Sequence, residues 1–429
     1  MSQLNLGEDS TAEVAPKKRA RMAVVISTVF SLVISLFAAG ALFLNHYANS
    51  SLTRGEALTS QKSLDGDVNI LLLGLDSRRA NDGSNLPRKL LDIMHVGSSS
   101  EIGGYNTNTM ILIHIPKDGK SAVAVSIPRD DYVLVPGRGY FKIKEAYGIT
   151  KYYATIDLLK QGVKNPDLEQ QSRSAGRAST IKTIENLLGV PIDHYAEVNL
   201  VSFYDLANAI GGVQVCLKKA VNDSTYSGAV FPAGIQTISG VQALQFVRQR
   251  HGLPNGDLDR THRQQAFITG VINKFRKQGV FNDLGQINSL LNVAKKDVII
   301  DPGWNVLDFI PRVKALTGGH IKFYTAPILR YGFINQQSVN IIDPAAVHTF
   351  VQNLFYPKPG MVFDASGAAQ IPTATATTTT PTGKKATTHT KKKVSKKSKK
   401  KKVVATPAPE VNLGQNGSGV SVDGIPCVN

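Results

Sequence analysis

The chain has little cysteine and none of the common catalytic signatures, and each absence narrows its chemistry. Of 429 residues only Cys216 and Cys427 are cysteines, too few for a zinc knuckle. The nine histidines include no His-Glu-x-x-His pair, so a zinc protease site is not expected. No Gly-x-x-x-x-Gly-Lys-Ser/Thr loop occurs, which argues against an ordinary phosphate-loop ATPase. Nor is there a Gly-x-Ser-x-Gly elbow to present a hydrolase serine. Acidic residues are also scarce, 32 against 49 Lys and Arg, giving a formal net charge of +17. Eleven of those lysines lie between Lys384 and Lys402, and without them the remainder is only about +6. The basic excess therefore belongs to a tail, and no nucleic-acid partner is expected from it.

What is present begins with residues 23–44, a stretch of 22 residues without a charge. At helical rise it spans roughly 33 Å, enough to cross a bilayer. Lys17, Lys18, Arg19 and Arg21 precede it, which places residues 1–22 in the cytoplasm and the rest outside. A cleaved signal peptide is the alternative. The run is longer than the usual apolar region of one and lacks a small-residue cleavage site, so a retained single-pass anchor is expected. Residues 45–64 then read as a stalk, 65–356 as one extracellular α/β domain, and 365–409 as a disordered Thr- and Lys-rich tail. Outside the cytoplasm Cys216 and Cys427 can form a disulfide that ties residues 410–429 back to the core; two separate thiols are the alternative.

Within the domain, residues 68–75 (VNILLLGL) are a continuous apolar run, read as a buried strand, and Asp76, Arg78 and Arg79 follow it. Residues 80–104 read as a long polar loop. Strands are expected at 110–115 and 122–127 around a hairpin turn, the second running into Arg129, Asp130 and Asp131. Helices are expected at 142–159, 179–188 and 200–210, then a strand at 213–217. Further helices follow at 266–277, 284–294, 306–316 and 345–355, with late strands at 321–327 and 339–342. His114 lies in an apolar strand and reads as a core histidine. The fold class is α/β, a mixed sheet with flanking helices.

The most informative stretch is 240–265, GVQALQFVRQRHGLPNGDLDRTHRQQ, with Arg248, Arg250, Arg260 and Arg263. On one helix Arg248 and Arg250 would point about 200° apart, so a shared ligand requires the helix to end there. Gly252, Pro254 and Gly256 supply the ending, and Asp257 or Asp259 can cap a new helix. On that helix Arg260, Arg263 and Gln264 fall on one face. Several guanidinium groups could thus meet one anion beside a helix N-terminus. With Asp76 and the Arg129–Asp131 cluster, this composition suits a polyphosphate held with Mg²⁺, poised for phosphoryl transfer. Ordinary structural salt bridges are the plain alternative.

These segments resemble the LytR–CpsA–Psr family of bacterial cell-wall ligases. The likeness rests on NILLLGLDSR (69–78), NTNTMILIHIP (106–116), VSIPRDDYVLVPG (125–137), KIKEAYGIT (142–150) and FVRQRHGLPNGDLDRTHRQQ (246–265). It implies a phosphotransferase moving a glycopolymer phosphate from a polyprenyl-pyrophosphate carrier to a peptidoglycan hydroxyl. By motif position Arg78, Arg129, Lys142, Arg248, Arg250, Arg260, Arg263 and Gln264 would bind substrate, and Arg129, Asp130 and Arg250 would serve catalysis. Asp76 and Asn108 would hold Mg²⁺. Two departures stand out: Asn108, where the family commonly has Asp, and Lys144, where Asn is common. Asn108 removes a negative charge from the metal site, and Asp131 is a candidate to compensate. The HGLPNGDLDR wording and the closing GIPCVN are similar to actinobacterial members, implying arabinogalactan or a similar polysaccharide as cargo. The resemblance also implies apolar helices enclosing the polyprenyl chain. The lysine-rich tail is expected to bind anionic wall polymers or lipid head groups, or else to act as a solvated spacer. A non-catalytic binder of lipid-linked or wall polymers is the competing function.

Overall fold

The computed structural model describes residues 53–54, 57–58, 62–63, 66–80, 83–96, 104–119, 121–278, 284–305, 320–364, 367–370, 421–422 and 425–429. The expected anchor at 23–44, the helix at 306–316 and nearly all of the tail lie outside them. Among the described residues no helix is long and apolar enough to cross a membrane. The elements below belong to one compact unit, Leu52–Trp304 with Asp308–Asn429.

A seven-stranded mixed sheet organises this unit. Its order is Thr53–Arg54, Ile299–Ile300, His194–Val198, Val68–Leu75, Thr107–Ile115, Ser121–Ser126 and His320–Thr325. Val68–Leu75 is central, parallel to His194–Val198 and antiparallel to Thr107–Ile115. Its near-continuous apolar sequence is what a strand covered on both faces needs. Leu71, Leu73 and Leu75 are all buried. The register slips between Gly74 and Leu75, and a Cβ on Gly74 would lie 2.8 Å from the Thr109 Cβ. Glycine therefore leaves room for the Thr109 side chain at the point where the charged residues begin.

One core face is covered by the helices Ala146–Lys160, Asp167–Leu188 and Pro344–Phe355, which contribute Ile181, Ile184, Val347 and Val351. A second layer, the four-stranded sheet that includes Val213–Leu217 and Ile425–Val428, packs on the helices Gly240–Arg248 and Asp257–Gln278. Here Cys216 and Cys427 are joined by a disulfide with Cα atoms 4.3 Å apart across a sequence separation of 211. His114 is buried, stacked on Phe355 and within 2.8 Å of Asn69 Oδ1.

Three expectations differ from what is seen. The helix read at 179–188 is the second half of Asp167–Leu188. Its polar first half is held by Arg173 and Arg177, both buried on Glu197 at 2.8 and 2.7 Å, a long-range partner no local pattern reveals. The loop at 80–104 contains a helix, Arg88–Ile93, whose Leu91 packs under Leu200 and Leu244. The described part of the expected stalk joins the domain. Thr53–Arg54 is a sheet strand, and Lys62 Nζ and Ser63 N donate to Asp193 at 2.7 Å each.

Candidate functional site

Four chain turns converge on one cavity of about 640 Å³. Asp76 and Arg78 arrive just past the end of Val68–Leu75, and Asn108 and Thr109 at the start of the antiparallel neighbour. Arg129 follows the strand Ser121–Ser126. Arg248 is the last residue of the helix Gly240–Arg248, Arg250 lies in the turn after it, and Arg260 and Gln264 project from Asp257–Gln278. All of these line the cavity. Sheets of this kind place ligands beyond the strand ends, where backbone groups and side chains are no longer committed to the ladder.

The polar residues of the lining form a hydrogen-bonded network. Asn108 Nδ2 donates to Asp76 Oδ2 at 3.0 Å, while Asn108 Oδ1 accepts from Arg129 at 2.8 Å. Arg260 donates to the Asn108 backbone oxygen at 3.1 Å. Asp257, the first residue of its helix, lies 2.9 Å from both Arg129 Nε and Arg260. Gln264 bonds the Thr109 hydroxyl at 2.9 Å. Arg78 stands 3.4 Å from Asp76, whereas Arg79 turns away to the Gly83 carbonyl. Arg248 bonds the Met94 carbonyl at 3.2 Å, and Arg250 is exposed at the cavity wall.

Five arginines thus face one space that holds few carboxylates. Burial pulls Arg260 down to about 10, with Asp257 opposing and Arg129 adding to the effect. Burial likewise lowers Arg248, only partly offset by Asp76. Buried guanidinium groups under-supplied with carboxylate gain most from an anion with several oxygens, which guanidinium forks match in pairs. The same lining includes the apolar side chains of Leu200, Phe203, Leu244, Val247, Phe267 and Ile268. The cavity can therefore take a ligand with an anionic head and a hydrocarbon body.

Several sequence-selected residues stand elsewhere. Arg263 does not share the face of Arg260 and Gln264. It is fully buried, its Nε donates to the Asn429 carbonyl at 2.6 Å, and its guanidinium lies 5.0 Å from the Phe246 ring. Three residues along a helix turn a side chain some 60° back, enough here to swing it onto the strand Ile425–Val428. Lys142 and Asp130 do not line the cavity. Asp130 accepts from Lys144 at 2.7 Å and lies 3.6 Å from Lys142 and 3.5 Å from Arg129. Burial would raise its pKa, but these cations outweigh it and hold the carboxyl below its ordinary value. A carboxylate so held orients Arg129 and is a poor proton acceptor. Lys144 is thus the residue that fixes Asp130. Asp131, weighed as a substitute for the missing metal charge, is fully buried and bonds Asn340 at 2.9 Å, away from the cavity. Burial raises its pKa well above the ordinary value, reinforced by Asp130 and Asp257.

Residues not selected from sequence matter as well. Asp257 had only the signal of a helix cap. Tyr226 and the helix 88–93 segment complete the wall, and nothing in their local pattern marks them.

For a divalent cation, the described residues contain no cluster of three or more His, Cys, Asp or Glu. Asp76 Oδ1 is buried without a hydrogen-bond partner, and Asn108 Oδ1 is already engaged by Arg129. One carboxylate fits a cation that draws its other ligands from water and phosphate, as Mg²⁺ commonly does.

Comparison with known proteins identifies relatives of the chain. The LytR_cpsA_psr family model matches residues 39–353. The cell wall biosynthesis protein LcpA of Corynebacterium glutamicum is 38% identical over 334 residues, 76% of this chain and 63% of that one. The chain therefore spans less than two thirds of that relative's length. The polyisoprenyl-teichoic acid–peptidoglycan teichoic acid transferase TagU of Oceanobacillus iheyensis is 30% identical over 285 residues, 63% of this chain and 75% of that one. In fold, the chain is similar to the crystal structure of protein gbs0355 from Streptococcus agalactiae. The TM-score is 0.50 at 23% identity, covering 68% of this chain and 89% of that one. The chain belongs to the LytR_cpsA_psr family.

Proposed function

We propose that the protein transfers a glycopolymer phosphate from a polyprenyl-pyrophosphate carrier to a peptidoglycan hydroxyl, working at the outer face of the membrane. The observation that carries this reading is the cavity lining, which combines five arginines with a set of apolar side chains. A polyprenyl diphosphate combines the same two characters. The name of the TagU relative describes a transfer of this type.

In the reaction the acceptor oxygen forms a bond to the glycan-side phosphorus, and the bridging P–O bond to the prenyl-side phosphate breaks. The hydroxyl proton ends on water or on the departing polyprenyl phosphate. Arg78, Arg129, Arg248, Arg250 and Arg260 hold the diphosphate oxygens and offset the charge that gathers on the leaving group. Asp257 and Asp130 hold Arg129 in place, and Gln264 positions Thr109 beside Gly74. Mg²⁺, when bound, would be held by Asp76 and would neutralise phosphate charge. Lys142, beside Asp130, supports the site from behind rather than touching the diphosphate. The anchor at 23–44 would keep the cavity near its lipid donor, and the lysine-rich tail would engage anionic wall polymers.

A second reading, a binder of lipid-linked polymers without turnover, is favoured by one observation: the Asn108 oxygen is occupied by Arg129. The two separate in a reconstituted assay with a polyprenyl-diphosphate glycan and peptidoglycan, run with and without Mg²⁺. Release of polyprenyl phosphate with covalent glycan attachment supports transfer. Donor binding without release supports the binder.

A further inference from the structure

A second cavity of about 1020 Å³ is lined by residues close in sequence to those of the first. Its wall includes Tyr105 and Asn106, and Asn108, two residues on, lines the arginine cavity. Two extended residues span no more than about 7 Å, so lining residues of the two spaces lie within that distance of each other. Two further links join them. The Asp76 amide donates to the Asn106 carbonyl at 2.8 Å. Glu145 lines the second cavity, while the adjacent Lys144 donates to Asp130, which holds Arg129.

The lining has a chemistry of its own. Tyr152 and Tyr153 sit on the helix Ala146–Lys160 but contribute nothing to the core, with 63% and 46% of their surfaces exposed. Their rings meet edge to face at 5.4 Å, and the Arg138 guanidinium covers the Tyr153 ring at 4.5 Å. Tyr153 is therefore braced and Tyr152 is the open platform. Asn106, Glu145 and Gln337 add amide and carboxylate groups around these rings. The cation deeper in the wall, Lys151, is paired with Glu169 at 2.9 Å. With Lys151 committed to Glu169, Arg138 laid over Tyr153 and Glu145 adding a negative charge, the lining carries no strong excess of cation for an anion, and the amide groups make a poor hydrocarbon site. Flat apolar platforms ringed by hydrogen-bonding groups suit a sugar, whose C–H face stacks on an aromatic ring while its hydroxyls bond around the edge.

We infer that this second cavity binds the saccharide acceptor, a strand of wall polysaccharide, with a hydroxyl delivered toward the arginine cavity. The inference rests on the transferase reading for the identity of the acceptor. Its test is calorimetric titration of the full-length chain with soluble glycan fragments released from peptidoglycan by a muramidase. Binding of polyprenyl diphosphate is measured in parallel. Tyr152→Ala is expected to weaken fragment binding about tenfold, the size of one lost aromatic contact with its buried area. Tyr152→Phe keeps the ring and should retain most of the affinity. Both variants should melt like the wild type and bind polyprenyl diphosphate equally. Undiminished fragment binding by Tyr152→Ala overturns the inference. So does a wild type that binds polyprenyl diphosphate but no fragment, an outcome that leaves the donor reading standing. Fragment binding sensitive to Tyr152 without any polyprenyl diphosphate binding upholds the saccharide site and removes the donor reading instead.

Discussion

Replacing Asn108 by aspartate turns the neutral link between Asp76 and Arg129 into a second carboxylate. The amide nitrogen now 3.0 Å from Asp76 Oδ2 would become an oxygen. Two unit charges at that separation repel by about 5 kcal/mol at an effective dielectric near 20. Arg129, 2.8 Å from the other side-chain oxygen, offsets much of this. A net loss on the order of 1–3 kcal/mol remains, in the usual range for a poorly compensated charge. A cation bound between the two carboxylates would cancel it and add binding free energy of its own. Asn108→Asp should therefore melt several degrees below wild type in EDTA and recover with excess Mg²⁺, while the wild type responds weakly to the ion. The assay is thermal unfolding of both proteins in the two buffers, with donor turnover measured alongside. Equal melting of Asn108→Asp in EDTA and Mg²⁺ would refute the reasoning, because the pair would then not form a cation site. Turnover that rises only in the variant would mark the natural Asn108 as an attenuating choice.

The Asp130 carboxyl is held low by Arg129, Lys144 and Lys142, so its contribution to stability is present above its unfolded value of 3.8 and is lost as pH falls through the folded value. Asp130→Asn should accordingly lower the melting temperature at neutral pH, with the difference shrinking below pH 3.8 in a pH series. Asp131 has the opposite sign, raised by burial, so its protonated form stabilises the fold and that benefit is lost as pH rises through the folded value. Asp131→Asn should stabilise the protein at neutral pH, and the gain should fade in acid. Cys216→Ser removes a bond that closes a 211-residue separation, worth up to about 5 kcal/mol on the chain-entropy model, and denaturant titration should register it. Arg263→Met should lower stability by loosening the strand Ile425–Val428 while leaving polyprenyl-diphosphate affinity unchanged, since Arg263 does not line the cavity.

Much of the site was readable wherever local pattern and ligand chemistry coincide. The apolar run Val68–Leu75 followed at once by Asp76 marks a strand end at a cavity. The break at Gly252, Pro254 and Gly256 lets Arg248, Arg250 and Arg260 converge from two helices. Asp130 is claimed by its near neighbours Arg129, Lys142 and Lys144, but the other misread features depend on partners distant in sequence. Arg263 is claimed by Asn429, 166 residues away, and Asp131 by Asn340, 209 residues away. The first half of Asp167–Leu188 looks too polar for a buried helix until Glu197 is placed against Arg173 and Arg177. Helical spacing alone gave Arg260, Arg263 and Gln264 one face. The cavity and the strand Ile425–Val428 divide that face between them.

Arg250 offers the most direct test of the central claim, because it is exposed at the cavity wall and no core packing depends on it. Turnover of a polyprenyl-diphosphate glycan onto peptidoglycan should fall about 100-fold in Arg250→Ala, the usual effect of losing one charge-stabilising donor, with melting unchanged. Polyprenyl phosphate release at the wild-type rate from Arg250→Ala, or none from the wild type with saturating donor, acceptor and Mg²⁺, would contradict the account.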